Sequence, residues 1–200
     1  MTLGLTGACC AGKNEAARIL SGRGWQIIDV DNVGHRVLDE MKGRVADRFG
    51  SEILRPEGGV DRRRLGALVF EDPAELTALE AIVHPEMRRR VVDTLRDSGE
   101  ENVCINAALL FPMGLHRHCD AVIRIAAPLP LRFFRAWKRD RLPPRQLLRR
   151  FTGRRALFPK FSADMVDMYT IRNLGSRERL EKKLVRTLSR IIGNFERTVG

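Results

Sequence analysis

Long hydrophobic runs are missing from this sequence: no stretch approaches the roughly 18–20 apolar residues of a membrane-spanning helix. Cysteine is scarce as well. Cys9, Cys10, Cys104 and Cys119 show no Cys-x-x-Cys spacing and no histidine in finger register, so neither a disulfide framework nor a zinc finger is expected. Adjacent cysteines such as Cys9 and Cys10 rarely bridge, and thiols in a reducing cytosol are the expectation. No basic leader with a cleavage site opens the chain, which points to a cytoplasmic protein. Internal repeats and low-complexity segments are absent too. Acidic residues are the minority, 25 against 36 Lys and Arg, for a formal net charge of +11. That balance suits nucleic acid, a polyanionic small molecule or a basic proteome, and does not choose among them. The 200 residues allow one domain with a small insertion or lid.

What is present starts at the first residues. A short apolar run, Leu3 to Thr6, stops at Gly7, and Gly12-Lys13 follow in the frame Gly-x-x-x-x-Gly-Lys. In that frame a strand delivers a turn whose backbone N–H groups wrap a phosphate, and a helix begins at the lysine with its dipole toward the anion. The residues from Asn14 to Leu20 are good helix formers with an apolar side. The position after the lysine, normally a Ser or Thr hydroxyl on magnesium, is Asn14. A chance glycine turn is the competing reading of these residues alone.

Farther along, Trp25–Ile28 reads as a second strand ending at Asp29-Val30-Asp31, with a helix from Val33 to Met41. A carboxylate at a strand's C-terminal end stands where ligands bind in open α/β sheets. The two acids alternate, so at most one faces the loop; helix capping is the equal alternative for either. Residues 33–98 read as a helical block, which continues with a short helix from Arg44 to Phe49, one capped by Asp61 through Phe70, and one starting at Asp72-Pro73. His84-Pro85 is expected to interrupt that last helix, with another running from Glu86 to Arg96. Val103–Asn106 and Asp120–Ile125 read as buried parallel strands, Leu129–Arg139 as a helix, Tyr169–Arg172 as a strand, and Arg177–Phe195 as a final helix. Its buried stripe is Leu180, Leu184, Leu188, Ile191 and Ile192. The alternation predicts an α/β chain of three layers with a parallel sheet.

Between Arg124 and Lys160 nearly every charged residue is basic. Arg132, Arg135 and Arg139 share one helical face, with Phe133, Phe134 and Trp137 expected in the core on the other. A lid closing over phosphates explains this better than an RNA surface, which interleaves exposed aromatics.

With these parts in view the chain resembles the dephospho-coenzyme A kinase family over nearly its whole length. The resemblance rests on the opening Leu-Thr-Gly with its phosphate loop, and on Ile28-Asp29-Val30-Asp31. It rests further on the run from Val60-Asp61-Arg62 to Ile82-Val83-His84-Pro85, on Leu109-Leu110-Phe111, on Arg135 to Asp140, and on Ile171-Arg172-Asn173 with Gly175-Ser176. It implies a P-loop NTPase core over 1–32, 101–139 and 161–200, a helical substrate-binding subdomain over 33–100, and a basic lid over 140–160, all within one kinase domain. It also implies transfer of the γ-phosphoryl of ATP, with Mg2+, to the ribose 3′-hydroxyl of dephospho-CoA. Lys13 would hold the β- and γ-phosphates, and the loop from Gly7 through Cys10, Ala11, Gly12, Asn14 and Glu15 would bind ATP. Asp31 would take the hydroxyl proton, Arg139 and Arg135 would neutralise charge, Asn173 would border the adenine, and His84 would meet the substrate. Asn14, Asn106 and Pro112 depart from the family pattern, and Asn14 is the candidate metal contact. The partners implied are small molecules; membrane and nucleic acid are not expected, and oligomeric state stays open. Two alternatives remain: another small-molecule kinase, or a degenerate P-loop paralogue that binds a polyanion such as RNA.

Overall fold

The computed structural model describes residues 1–99, 102–140 and 166–199. Five strands form one sheet: β1 (Thr2–Gly7), β2 (Gln26–Asp29), β3 (Val103–Asn106), β4 (Ala121–Ala126) and β5 (Met168–Arg172), in the order β2-β3-β1-β4-β5. β1 pairs in parallel with β3 and β4, and β4 with β5. Parallel neighbours need crossovers, and helices supply them. Covered on both faces, β1, β3 and β4 are buried almost throughout, which explains their lack of polar alternation. One face is covered by α1 (Lys13–Ser21) and by the final helix, here α7 (Arg177–Val199). Leu180, Leu184, Leu188 and Ile191 of α7 join that core, whereas Ile192 is 40% exposed: the 3.6-residue period carries it off the stripe. This is the three-layer α/β arrangement with a parallel sheet.

The described chain divides into two compact units, one of Met1–Ile28 with Ser98–Gly200, the other of Asp29–Asp97. The second is helical: α2 (Val30–Glu40), α3 (Lys42–Phe49), α4 (Arg62–Glu71) and α5 (Pro73–Asp97). Between α3 and α4 a short antiparallel bridge pairs Leu54 with Val60. Asp61 caps α4 by accepting from the N–H groups of Arg63 and Arg64. Two elements differ from the sequence expectation. α2 starts three residues early, because the Asp29 carboxylate accepts from the N–H groups of Asp31 and Asn32 and nucleates the turn there. α5 runs on through Pro85, whose missing N–H and ring contact with the preceding turn are the usual reasons for a helix to stop or kink. Among the described residues no helix is long and apolar enough to cross a membrane.

Candidate active site

β1 carries the chain to Gly7, where a Cβ would stand 2.6 Å from the carbonyl oxygen of Ile125 on the adjacent β4. Only glycine lets the turn leave the sheet here. The chain then makes a turn closed by the Ala11 N–H on the Ala8 carbonyl at 3.0 Å, with Cys9 and Cys10 at its central positions. Cys10 holds the left-handed conformation at φ 58°. Gly12 follows at φ 104° as the residue before α1, and a Cβ on it would lie 2.2 Å from Asn173 Nδ2. Lys13 then opens α1 and is buried, 8% exposed. The N–H groups at the head of α1 have no acceptor within the helix and carry the positive end of its dipole. Of the loop N–H groups the resemblance assigns to phosphate, that of Ala11 is engaged inside the turn.

The back of the loop is held by side chains from distant parts of the sequence. From α6 (Leu129–Asp140) Arg132 Nε donates to the Cys9 carbonyl at 2.8 Å, and Arg135 donates to the carbonyls of Ala11 and Asn173 at 3.4 and 3.3 Å. Asn173, buried just after β5, donates Nδ2 to the Ala11 carbonyl at 2.9 Å, while its own N–H is fixed by the Ala126 carbonyl. These three residues hold the Cys9 and Ala11 carbonyls of the loop. Arg132 was not singled out in sequence as a loop contact; its spacing three before Arg135 was the available signal. The same rotation of α6 turns Phe134 and Trp137 to solvent, 55% and 51% exposed, with their rings 6.4 Å apart. They are not the core residues expected, because the arginine face and Ala136 take the inward side.

Arg139, one turn beyond Arg135, is exposed. The Glu15 carboxylate pairs with Arg18 and, at 3.1 Å, with Arg177. Asn14 is exposed in the first turn of α1. Asn106, at the end of β3 beside Leu5 of β1, is 1% exposed with its Oδ1 lacking a hydrogen-bond partner. A buried amide oxygen without a partner is costly and signals an unfilled polar role. Arg145, Arg149, Arg150, Arg154, Arg155 and Lys160 of the expected lid lie outside the described residues.

In the helical unit Asp31 is the exposed second residue of α2, its N–H bound to the capping Asp29 at 3.0 Å. So Asp29 is the cap and Asp31 the acid left at the helix head. His84 is half-buried within α5. An open pocket of about 680 Å³ lies against Pro85, Met41, Arg44, Arg89 and Arg90. Its charges are organised by Glu86, which accepts from Arg89 and Arg90 at 2.7 Å and is held down to about 2 by those guanidiniums. Arg90 continues to Glu40, tying α5 to α2.

Comparison with known proteins agrees with this architecture. A family model described as dephospho-CoA kinase matches residues 1–158. A dephospho-CoA kinase of Moorella thermoacetica is 40% identical over 149 residues, 70% of this chain and 69% of that protein. One from Bacillus licheniformis is 32% identical over 191 residues, covering 92% and 93%. Among solved structures, TT1252 from Thermus thermophilus superimposes with a TM-score of 0.78 at 30% identity, covering 95% of this chain and 97% of that one. The dephospho-CoA kinase from Campylobacter jejuni shares the fold, with a TM-score of 0.67 at 23% identity. With a phosphate loop built as above and a family match over most of its length, this chain belongs to the dephospho-CoA kinase family of phosphotransferases.

Proposed function

We propose that the chain transfers the γ-phosphoryl of ATP to the ribose 3′-hydroxyl of dephospho-CoA. The observation that carries this reading is the loop from Gly7 to Lys13, shaped by two glycines that tolerate no Cβ and held from behind by Arg132, Arg135 and Asn173. Lys13 and the N–H groups at the head of α1 bind the phosphates. Arg139, and the lid residues beyond it, neutralise charge on the transferring group as its bond to ADP loosens. Asp31, exposed at the head of α2, orients the ribose hydroxyl and takes its proton late. The helical unit of Asp29–Asp97 serves the substrate, its pocket offering apolar walls to a pantetheine arm and guanidiniums to phosphates.

The donors present suit magnesium. Asn14 and the partnerless Oδ1 of Asn106 are hard oxygens, neutral where a hydroxyl and a carboxylate are the stronger choice. They would hold the ion directly or through water, and screening of phosphate charge is the chemistry it would supply. Such a set organises the metal weakly, so most of the affinity comes from ATP itself.

A coupled assay tests the reading. ATP consumption should require dephospho-CoA and should not respond to a panel of nucleosides. Asp31→Ala should lower turnover at least a hundredfold while ATP still binds. No turnover with any divalent metal, together with polyanion binding of steep salt dependence, would sink it. The exposed Phe134 and Trp137 are what keep that second outcome worth measuring, since bases stack on such rings.

A further inference from the structure

Cys9 and Cys10 occupy the central positions of the loop turn, and phosphate binding uses neither thiol. Their Sγ atoms lie 3.7 Å apart. A disulfide would need about 2.05 Å, so the pair stands as two thiols. Two thiolates on one tetrahedral ion, with bonds of about 2.3 Å, are separated by about 3.8 Å. The spacing therefore matches that of two thiolates sharing a zinc ion. Cys10, the second of the pair, holds the left-handed conformation. The turn is held on both flanks, by Arg132 on the Cys9 carbonyl and by Asn173 on that of Ala11. Cys9 is exposed and Cys10 partly so. The other two thiols contrast with them: burial pushes Cys104 far up, and Cys119 up to about 12, leaving both protonated at neutral pH.

We propose that Cys9 and Cys10 form a dithiolate site for thiophilic divalent cations of the zinc and cadmium class, and that its occupation opposes nucleotide binding at the same loop. Binding forms two sulfur–metal bonds and releases two thiol protons to solvent, with no change of oxidation state. Among the described residues no cluster of three or more His, Cys, Asp and Glu is found, so the site is assigned to the two thiolates alone. The antagonism follows from the turn: the Ala11 N–H is committed to the Ala8 carbonyl, and it must leave that partner to serve a phosphate. An ion bridging the two central residues staples the turn in its closed form. This second half rests on the nucleotide reading of the loop; the metal half does not.

The test uses the full, reduced chain titrated with cadmium and followed by thiolate–cadmium absorbance. One ion per chain and two protons released are expected, with affinity falling at least a hundredfold in Cys9→Ser and in Cys10→Gly, each checked for an unchanged circular dichroism spectrum. One equivalent of cadmium should weaken ATP binding at least tenfold in the native chain and not in Cys9→Ser, a comparison that removes chelation of cadmium by ATP. Absorbance that persists in Cys9→Ser places the ion elsewhere and overturns the site. Equal ATP affinity with and without cadmium overturns the antagonism. Cadmium held by both thiolates in a chain that never binds ATP overturns the nucleotide reading, and with it the antagonism, and leaves the metal site standing.

Discussion

Gly12 is constrained twice, by a left-handed φ of 104° and by Asn173 Nδ2 lying 2.2 Å from where a Cβ would be. Gly12→Ala has to move Asn173 or twist the loop, and either spoils the N–H array that follows. It should weaken ATP binding roughly a hundredfold, about 2.7 kcal/mol, as measured by calorimetry. Asn173→Ala tests the other side of that contact. It removes the donor to the buried Ala11 carbonyl, and a lost partner of this kind costs about 1–3 kcal/mol. The KM for ATP should rise with little change in kcat, because the loss loosens the ground-state grip on phosphate as much as the transition-state grip. Asn14 raises a different question at the same scale. Asn14→Thr restores a hydroxyl at the head of α1 and should lower the magnesium concentration at half-maximal rate. An unchanged magnesium requirement would mean that Asn14 does not touch the metal.

At the scale of elements, α6 is the brace of the loop. Its two inward guanidiniums act on carbonyls that the sequence places more than a hundred residues earlier, so the helix contributes by where it docks rather than by its own propensity. α5 is the spine of the helical unit, and its junction to α2 runs through Arg90, Glu40 and Glu86. Glu86 has its ordinary value of 4.5 lowered to about 2 by Arg89 and Arg90. A carboxylate depressed on folding contributes stability that is fully present above the unfolded value and is lost as pH falls through the folded one. Asp39, whose carboxylate accepts from the Val60 N–H, and Asp61 shift the same way. The helical unit should therefore lose stability between about pH 4.5 and 2, seen as a falling thermal midpoint. These groups are solvent-exposed, so added salt should shrink the effect. Glu86→Gln should flatten the same stretch of the curve.

The whole molecule carries +11, and both proposed substrates are polyanions. Long-range attraction of this kind is screened within about 10 Å at 0.1 M salt. KM for each substrate should rise with ionic strength while kcat changes little, which steady-state kinetics at 0.05 and 0.3 M salt would show. A phosphoryl-transfer step limited by lid closure would move kcat instead.

By itself the sequence determined the phosphate loop, the order of strands and helices, and the acid pair at 29 and 31. Each is a local code: glycine where a Cβ has no room, apolar runs of strand length, caps and prolines at helix heads. It could not say which acid caps α2, because the choice depends on where the helix nucleates, and Asp29 reaches the N–H groups of Asp31 and Asn32. Nor could it decide the fate of His84-Pro85, since tertiary packing carries α5 across a proline that local preference would use as a stop. The inward face of α6 was equally hidden. A stripe of arginines and a stripe of aromatics are both plausible inward faces until the loop carbonyls are in place, and only the fold brings residues 9 and 11 to residues 132, 135 and 173. Those contacts join residues far apart in sequence, so no spacing within a single helix or strand records them.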